Sequence, residues 1–272
     1  MIKKQTSRFK LLIKSLIPQR LLNKRYLNSL LSSVKVIKSH EIFAEGIKIE
    51  IDNMQILLRD QSHSDIFVFK QIFEYQEYKV IYEILNSLNQ DHYTIVDAGA
   101  NIGLTSLYLS NKLSNCKCIL IEPDKNNFKQ LTSNVGRNEL LLDTICIDKA
   151  LSSNSKKLFS LENNFRDELD WSIRALEDDS GTVQSIDLYD IVDQYLGTPI
   201  DLLKMDIEGG EFEVFTNDKN CAFLDHFKVL AIEIHDEVGD RKEIERQLAL
   251  HNFTYFNSGE LTIGINNNLF RI

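Results

Sequence analysis

The segment Val96-Asp97-Ala98-Gly99-Ala100-Asn101-Ile102-Gly103 constrains the fold of this chain more than any other. It closes an apolar run with an acid, sets two glycines four apart, and then opens a helical pattern. That order reads as strand, tight turn, helix N-terminus. Glycine has no Cβ, so such a turn lets backbone approach a ligand closely. About twenty residues further on, where a ribose-binding acid is expected after such a turn, the apolar run Ile119-Leu120-Ile121 ends in Glu122. A nucleoside pocket beyond the strand ends is the first expectation.

A chain of 272 residues with 43% hydrophobic content suits one α/β domain carrying an N-terminal appendage. The expected division is a basic helical segment and hairpin over 1–60 and the main domain over 61–272. No stretch has the apolar length of a bilayer span, and Lys14 interrupts Leu11-Leu12-Ile13 too early for a secretory signal. Cys116, Cys118, Cys146 and Cys221 lie in or beside apolar runs without a second pair at zinc-ligand spacing, which reads as reduced thiols in a cytoplasmic protein. The net charge of −9 is unevenly spread. Residues 1–40 hold ten Lys or Arg and no acid, leaving 21 basic against 40 acidic residues in the rest. A polyanion would be repelled by that body, so nucleic acid is not expected as a partner. The basic segment carries an amphipathic stripe (Phe9, Leu12, Ile13, Leu16, Ile17, then Leu22, Tyr26, Leu27, Leu30, Leu31, Val34). Such a stripe packs on the main domain or on a second subunit, a homo-oligomer, with its lysines in water. The alternative is peripheral contact of residues 1–40 with the inner face of a membrane.

Along the chain, alternation over 47–51 and 54–58 predicts a hairpin around Asp52-Asn53. Helices are predicted from Ser64 through Gln71 and over 79–88. Then strands and helices alternate: strands at 94–97, 117–121, 144–148, 201–206 and 229–234, with helices at 102–113, after Asp124, at 184–195, 212–215 and 242–251. Strands over 253–256 and 261–265 close the chain, and 269–272 could extend the last. The polar stretch 152–181, which holds Trp171, has no clear period. This alternation predicts a mostly parallel sheet covered on both faces.

Ligands of such sheets bind beyond the carboxyl ends of the strands. Asp97, Glu122, Asp148, Asp206 and Glu233, with His235, occupy those ends. Such an acidic crevice suits a cationic, hydroxyl-rich ligand such as S-adenosylmethionine, whose carboxylate would sit on the amides of the Gly99–Gly103 turn and the helix start. A nicotinamide dinucleotide is the competitor, but it prefers Gly-x-Gly-x-x-Gly, and here the spacing is Gly-x-x-x-Gly behind Asp97.

The element Asp201-Leu202-Leu203-Lys204-Met205-Asp206-Ile207-Glu208-Gly209-Gly210-Glu211, taken with the glycine turn and Glu122, resembles the FkbM family of S-adenosylmethionine-dependent methyltransferases. Val229-Leu230-Ala231-Ile232-Glu233-Ile234-His235 is similar to the family's following strand, and 69–78 to its approach to the core. The likeness runs over about residues 60 to 260 and departs at Met205, where a β-branched residue is usual. It implies a Rossmann-like class I methyltransferase with sheet order 3-2-1-4-5-7-6 and helices on both faces, preceded by the hairpin and basic helices read above, which lie outside the likeness. It also implies S-adenosylmethionine as cofactor and O-methylation of a hydroxyl on a saccharide or polysaccharide precursor. A nicotinamide-dependent oxidoreductase and a non-catalytic membrane-associated scaffold are the other classes considered.

The expected cofactor-binding residues are Asp97 (methionine amine), Gly99, Asn101 and Gly103 (the turn), Glu122 (ribose), Asp148 and Ala150 (adenine), and Asp206. The expected catalytic residues are Asp206, Glu208 and His235, with His235 as a general base because its ordinary pKa lies near neutrality. Lys204 reads as a structural counter-charge. No metal is assigned, although Asp206, Glu208, Glu233 or His235 could hold a divalent ion.

Overall fold

A computed structural model describes residues 24–60, 64–141, 143–162, 173–193, 199–217 and 221–271. After helix α1 (Lys24–Ser33), strands β1 (Ser39–Ile42), β2 (Gly46–Ile51) and β3 (Met54–Arg59) form an antiparallel sheet in sequential order. The expected hairpin is β2–β3, and β1 adds a third strand that its mixed sequence, Ser-His-Glu-Ile, does not announce. Leu27, Leu31 and Val34 of the basic stripe are buried in the hydrophobic core, so this part of the stripe packs on the domain. The stripe's earlier members, Phe9 to Leu22, lie outside the described residues.

Helix α2 (Asp65–Phe69) runs directly into a π-helical turn (Lys70–Glu74), and α3 (Lys79–Ser87) leads into the main sheet. That sheet holds β4 (Tyr93–Ala98), β5 (Cys116–Ile121), β6 (Thr144–Ile147), β11 (Ile200–Met205), β12 (Phe227–Glu233), β13 (Phe253–Ser258) and β14 (Leu261–Asn266). Their spatial order is β6-β5-β4-β11-β12-β14-β13. All neighbours are parallel except β14, which runs antiparallel to both β12 and β13. Counted within this sheet alone, from the β6 edge, the order is 3-2-1-4-5-7-6. Counted over the whole chain it differs, because three strands precede the sheet and four more intervene. The central strands read as apolar runs because both faces are covered. Ile95, Leu120, Leu202 and Val229 face a core shared with the N-terminal sheet, α2, α3, α4 (Leu104–Lys112) and α5 (Lys125–Val135). Val96, Ile119, Leu203 and Leu230 face the opposite core, with α6 (Leu188–Asp193), α7 (Glu211–Asn217) and α8 (Arg241–Leu250). The first of these cores runs without a break across residue 60.

Three expectations change. The stretch 152–181 contributes β8 (Leu158–Glu162) and β9 (Arg174–Glu177), which join β7 (Ala150–Leu151) and β10 (Val183–Ile186) in a second sheet of order β7-β10-β8-β9. Trp171 lies outside the described residues. The helix expected over 184–195 starts only at Leu188, because Val183, Ser185 and Ile186 turn inward as strand while Gln184 faces out. Asp187 then accepts the amide of Asp190 (2.8 Å) and stops the strand. Residues 194 and 195 of that expected helix are not described. The chain after β14 forms a turn rather than more strand through Arg271, and Ile272 lies outside the described residues.

Candidate active site

The turn after β4 holds Gly99 (φ +74°), Asn101 (φ +51°) and Gly103 (φ +86°) in the left-handed region, which favours glycine and admits asparagine. A Cβ on Gly99 would overlap the carbonyl oxygen of Asp206, so the close approach served by this glycine is to the end of β11. The turn's amides are also engaged within the protein. Gly99 and Ala100 donate to the Ile121 carbonyl (3.0 and 2.9 Å), Gly103 to that of Ala100 (2.8 Å), and Asn101 to Glu122 Oε2 (2.8 Å). Four of the five turn amides are thus engaged within the protein, and a ligand carboxylate expected on the turn and helix start would have to use the others.

Beneath the turn lies a buried ion pair. Lys204 Nζ stands 3.2 Å from Asp97 Oδ1 and donates to the Gly99 carbonyl (2.7 Å), while Ser106 Oγ donates to Asp97 Oδ2 (2.8 Å). β4 and β11 are in register there, Asp97 opposite Lys204. Burial lowers the lysine's pKa, but Asp97, Asp206 and Glu233 outweigh it and hold the ammonium above its ordinary value. Asp97 therefore sits under the turn rather than on the cavity wall, and Lys204 is the counter-charge.

Glu122 is buried beyond the end of β5. Its Oε1 accepts from the Asp124 amide (2.9 Å) and from Asn127 Nδ2 (3.4 Å). Burial, only partly offset by these donors, pushes its pKa up to about 7. A carboxylate has about four acceptor positions, so these three donors leave it capacity for a hydroxyl.

The acidic turn after β11 bends through Glu208 (φ +53°) and Gly209 (φ +95°) into α7. Glu211, fully buried, binds that turn from within: its Oε1 accepts the Ile207 amide (2.8 Å) and its Oε2 meets His235 Nδ1 (3.2 Å). His235 Nε2 lies 3.3 Å from Glu208 Oε2 and 3.9 Å from Asp206 Oδ1. Burial lowers the imidazole's pKa, yet Glu208, Glu211 and Asp206 together push it up to about 11. His235 is therefore a buried imidazolium at neutral pH, and its expected role as general base is corrected. Asp206, Glu211 and His235 also offer atoms close enough together for a metal ion.

These loops enclose a cavity of about 270 Å³. Gly99, Asn101 and Glu122 line one side, Ala150 and Leu151 another, and Asp206, Glu208 and Glu233 a third. Tyr78 and Glu77 close it from the α2–α3 connection, and Phe159 with residues 173–177 wall it from the second sheet. Asp97, Gly103 and His235 support the cavity without lining it. Asp148 is exposed and outside it, because the chain turns away after β6 before returning at Ala150. Sequence reasoning passed over Tyr78, Asn127, Arg174 and Glu213, all on the wall. An aromatic closing an apolar helix was a signal for Tyr78; Arg174 in a polar, aperiodic stretch carried none.

The family model of the methyltransferase FkbM domain matches residues 97–256. The chain belongs to the FkbM methyltransferase family. Methyltransferase sdnD of Sordaria araneosa is 28% identical over 218 residues, covering 67% of this chain and 79% of that protein. Among solved structures, a methyltransferase from Geobacter sulfurreducens is 14% identical over 74% of this chain and 88% of that one, with a TM-score of 0.42. TrmK of M. capricolum, solved with its cofactor product S-adenosylhomocysteine, is 13% identical over 67% of each chain, TM-score 0.39. Both are distant, and the fold assignment rests on the strand order. This FkbM chain is a methyltransferase that uses S-adenosylmethionine, which displaces the nicotinamide and scaffold alternatives. The cavity fits that group: carboxylates face it from three strand ends, and Asp206 Oδ1 makes no hydrogen bond there.

Proposed function

We propose that this FkbM methyltransferase methylates a hydroxyl of a saccharide or polysaccharide precursor. The observation that carries the reading is Asp206. Its carboxylate lines the cavity at the end of β11, Oδ1 has no hydrogen-bond partner among the described residues, and the imidazolium of His235 stands 3.9 Å behind it. An alcohol must lose its proton as the new bond forms, and a carboxylate held there can accept it. When bound, S-adenosylmethionine supplies a methyl carbon made electrophilic by the positive sulfur.

The remaining roles belong to the chain. Glu122 takes a ribose hydroxyl, Ala150 and Leu151 give the adenine an apolar wall, and the Gly99–Gly103 turn shapes the floor. Asp97, paired with Lys204, fixes that turn. Glu208 and Glu211 hold His235 charged, and His235 stands behind Asp206. Alignment of the acceptor and exclusion of water then supply much of the rate. β8 and β9 select the acceptor, with Arg174 and Glu177 on that wall. No helix among the described residues is long and apolar enough to cross a membrane. With all four cysteines free, a cytoplasmic site of action fits.

Incubating the protein with S-adenosylmethionine and a panel of glycans, read by mass spectrometry, tests the reading. A methyl ether on a sugar hydroxyl supports it; methylation only of nitrogen or carbon acceptors overturns it. In Asp206→Asn, turnover should fall by roughly 10²–10⁴-fold while S-adenosylhomocysteine still binds. Retained turnover would remove Asp206 from the proton's path.

A further inference from the structure

The end of β3 is tied to the cofactor pocket through one arginine. Arg59 donates its backbone N–H and its Nε and Nη2 to the buried carboxylate of Asp65, with distances of 2.7, 3.0 and 2.6 Å to the nearest oxygens. Those contacts fasten the N-terminal sheet to α2. They leave Nη1, which donates to Asn127 Oδ1 at 2.8 Å. Asn127 is buried on the first turn of α5, its backbone amide held by the Asp124 cap (2.9 Å), and it lines the cavity. Its Nδ2 donates to Glu122 Oε1 at 3.4 Å.

We propose that Arg59 and Asn127 are positioning residues for Glu122, forming a relay that makes the N-terminal sheet part of the cofactor site. The inference rests on the assignment of Glu122 to a ribose hydroxyl. Its logic is donor and acceptor count. A guanidinium has only N–H donors, so Asn127 must present its oxygen to Arg59 and its NH₂ to the carboxylate. The reversed amide would set NH₂ against guanidinium and oxygen against carboxylate, two repulsions at once. Arg59 thus fixes the amide's orientation, and the amide fixes the oxygen of Glu122 that it touches. A buried donor polarised by a cation is also the stronger donor. A guanidinium serving Asp65 alone would not need the third arm. Lysine could not supply it, because one ammonium cannot span two fixed acceptors as the planar fork does.

Titration calorimetry with S-adenosylhomocysteine and with its 2′,3′-dideoxy analogue separates the possibilities. The unaltered protein should prefer the hydroxylated ligand. Asn127→Leu should weaken that ligand by about tenfold, the scale of one hydrogen bond to a charged group, and leave the dideoxy analogue within roughly twofold, so the preference collapses. Arg59→Lys, which keeps a cation opposite Asp65, should shift the preference in the same direction by less. Equal weakening of both ligands, accompanied by a lower melting temperature, would mean a purely structural role and overturn the relay. So would an unchanged preference in either folded variant. If the unaltered protein binds both ligands alike, the ribose assignment itself fails; if it binds neither, the cofactor pocket fails. In both cases the relay falls with the reading beneath it.

Discussion

His235 shows how far a side chain's chemistry depends on what surrounds it. Its position on the chain, two residues after Glu233 at a strand end, was legible, and so was its nearness to Asp206. Its charge was not, because that depends on Glu211, which lies within the motif but reads as a helix-start acid. With Glu208 and Glu211 against its ring, the group rises from an ordinary 6.5 to about 11. Its contribution to stability is therefore complete below pH 6.5 and drains as pH climbs toward 11. The melting temperature of the unaltered protein should exceed that of His235→Gln most at pH 6, with the gap narrowing steadily to pH 10. A gap that widens with pH would show that the histidine is buried neutral.

At the scale of elements, the strand-turn-helix units were readable wherever one period ran long enough. β4, β5, β11 and β12 announced themselves as apolar runs closed by acids, and Asp124 capped α5 as its position suggested. The second sheet was hidden: β7 has two residues, β9 and β10 four each, and no alternation survives over such lengths. The role of α5 was hidden as well. Asn134 on it and Asn138 just beyond it bond the backbone of β3 at Leu57 and Gln55, covering a strand edge in a way no linear pattern encodes. The glycine turn was legible as a turn but not in its partner. Gly99→Ala must push a Cβ into the Asp206 carbonyl at φ +74°, which should cost about 3 kcal/mol or more. In a domain of this size that lowers the melting temperature by roughly 6–12 °C. Gly259→Ala, at φ +63° but with open space around it, should cost only about 1 kcal/mol. Equal losses in thermal melts of the two variants would show that the β4 turn and the β11 end are not in contact.

For the molecule as a whole, the acidic body and the alternating elements suffice to predict a doubly covered sheet with its ligand at the strand ends. The basic stripe does not reveal where it goes, since packing on a domain and lying on a bilayer demand the same period; only the burial of Leu27, Leu31 and Val34 decides it for α1. The cofactor claim itself turns on Glu122. Burial lifts its pKa to about 7, so the ionised form that accepts a ribose hydroxyl is gained as pH rises through that value. Calorimetric titration of S-adenosylhomocysteine into the protein should give one site per chain, with affinity increasing from pH 6 to pH 8 and falling at least about tenfold at pH 8 in Glu122→Ala. Absence of binding to the unaltered protein, or equal affinity in Glu122→Ala, would contradict the account.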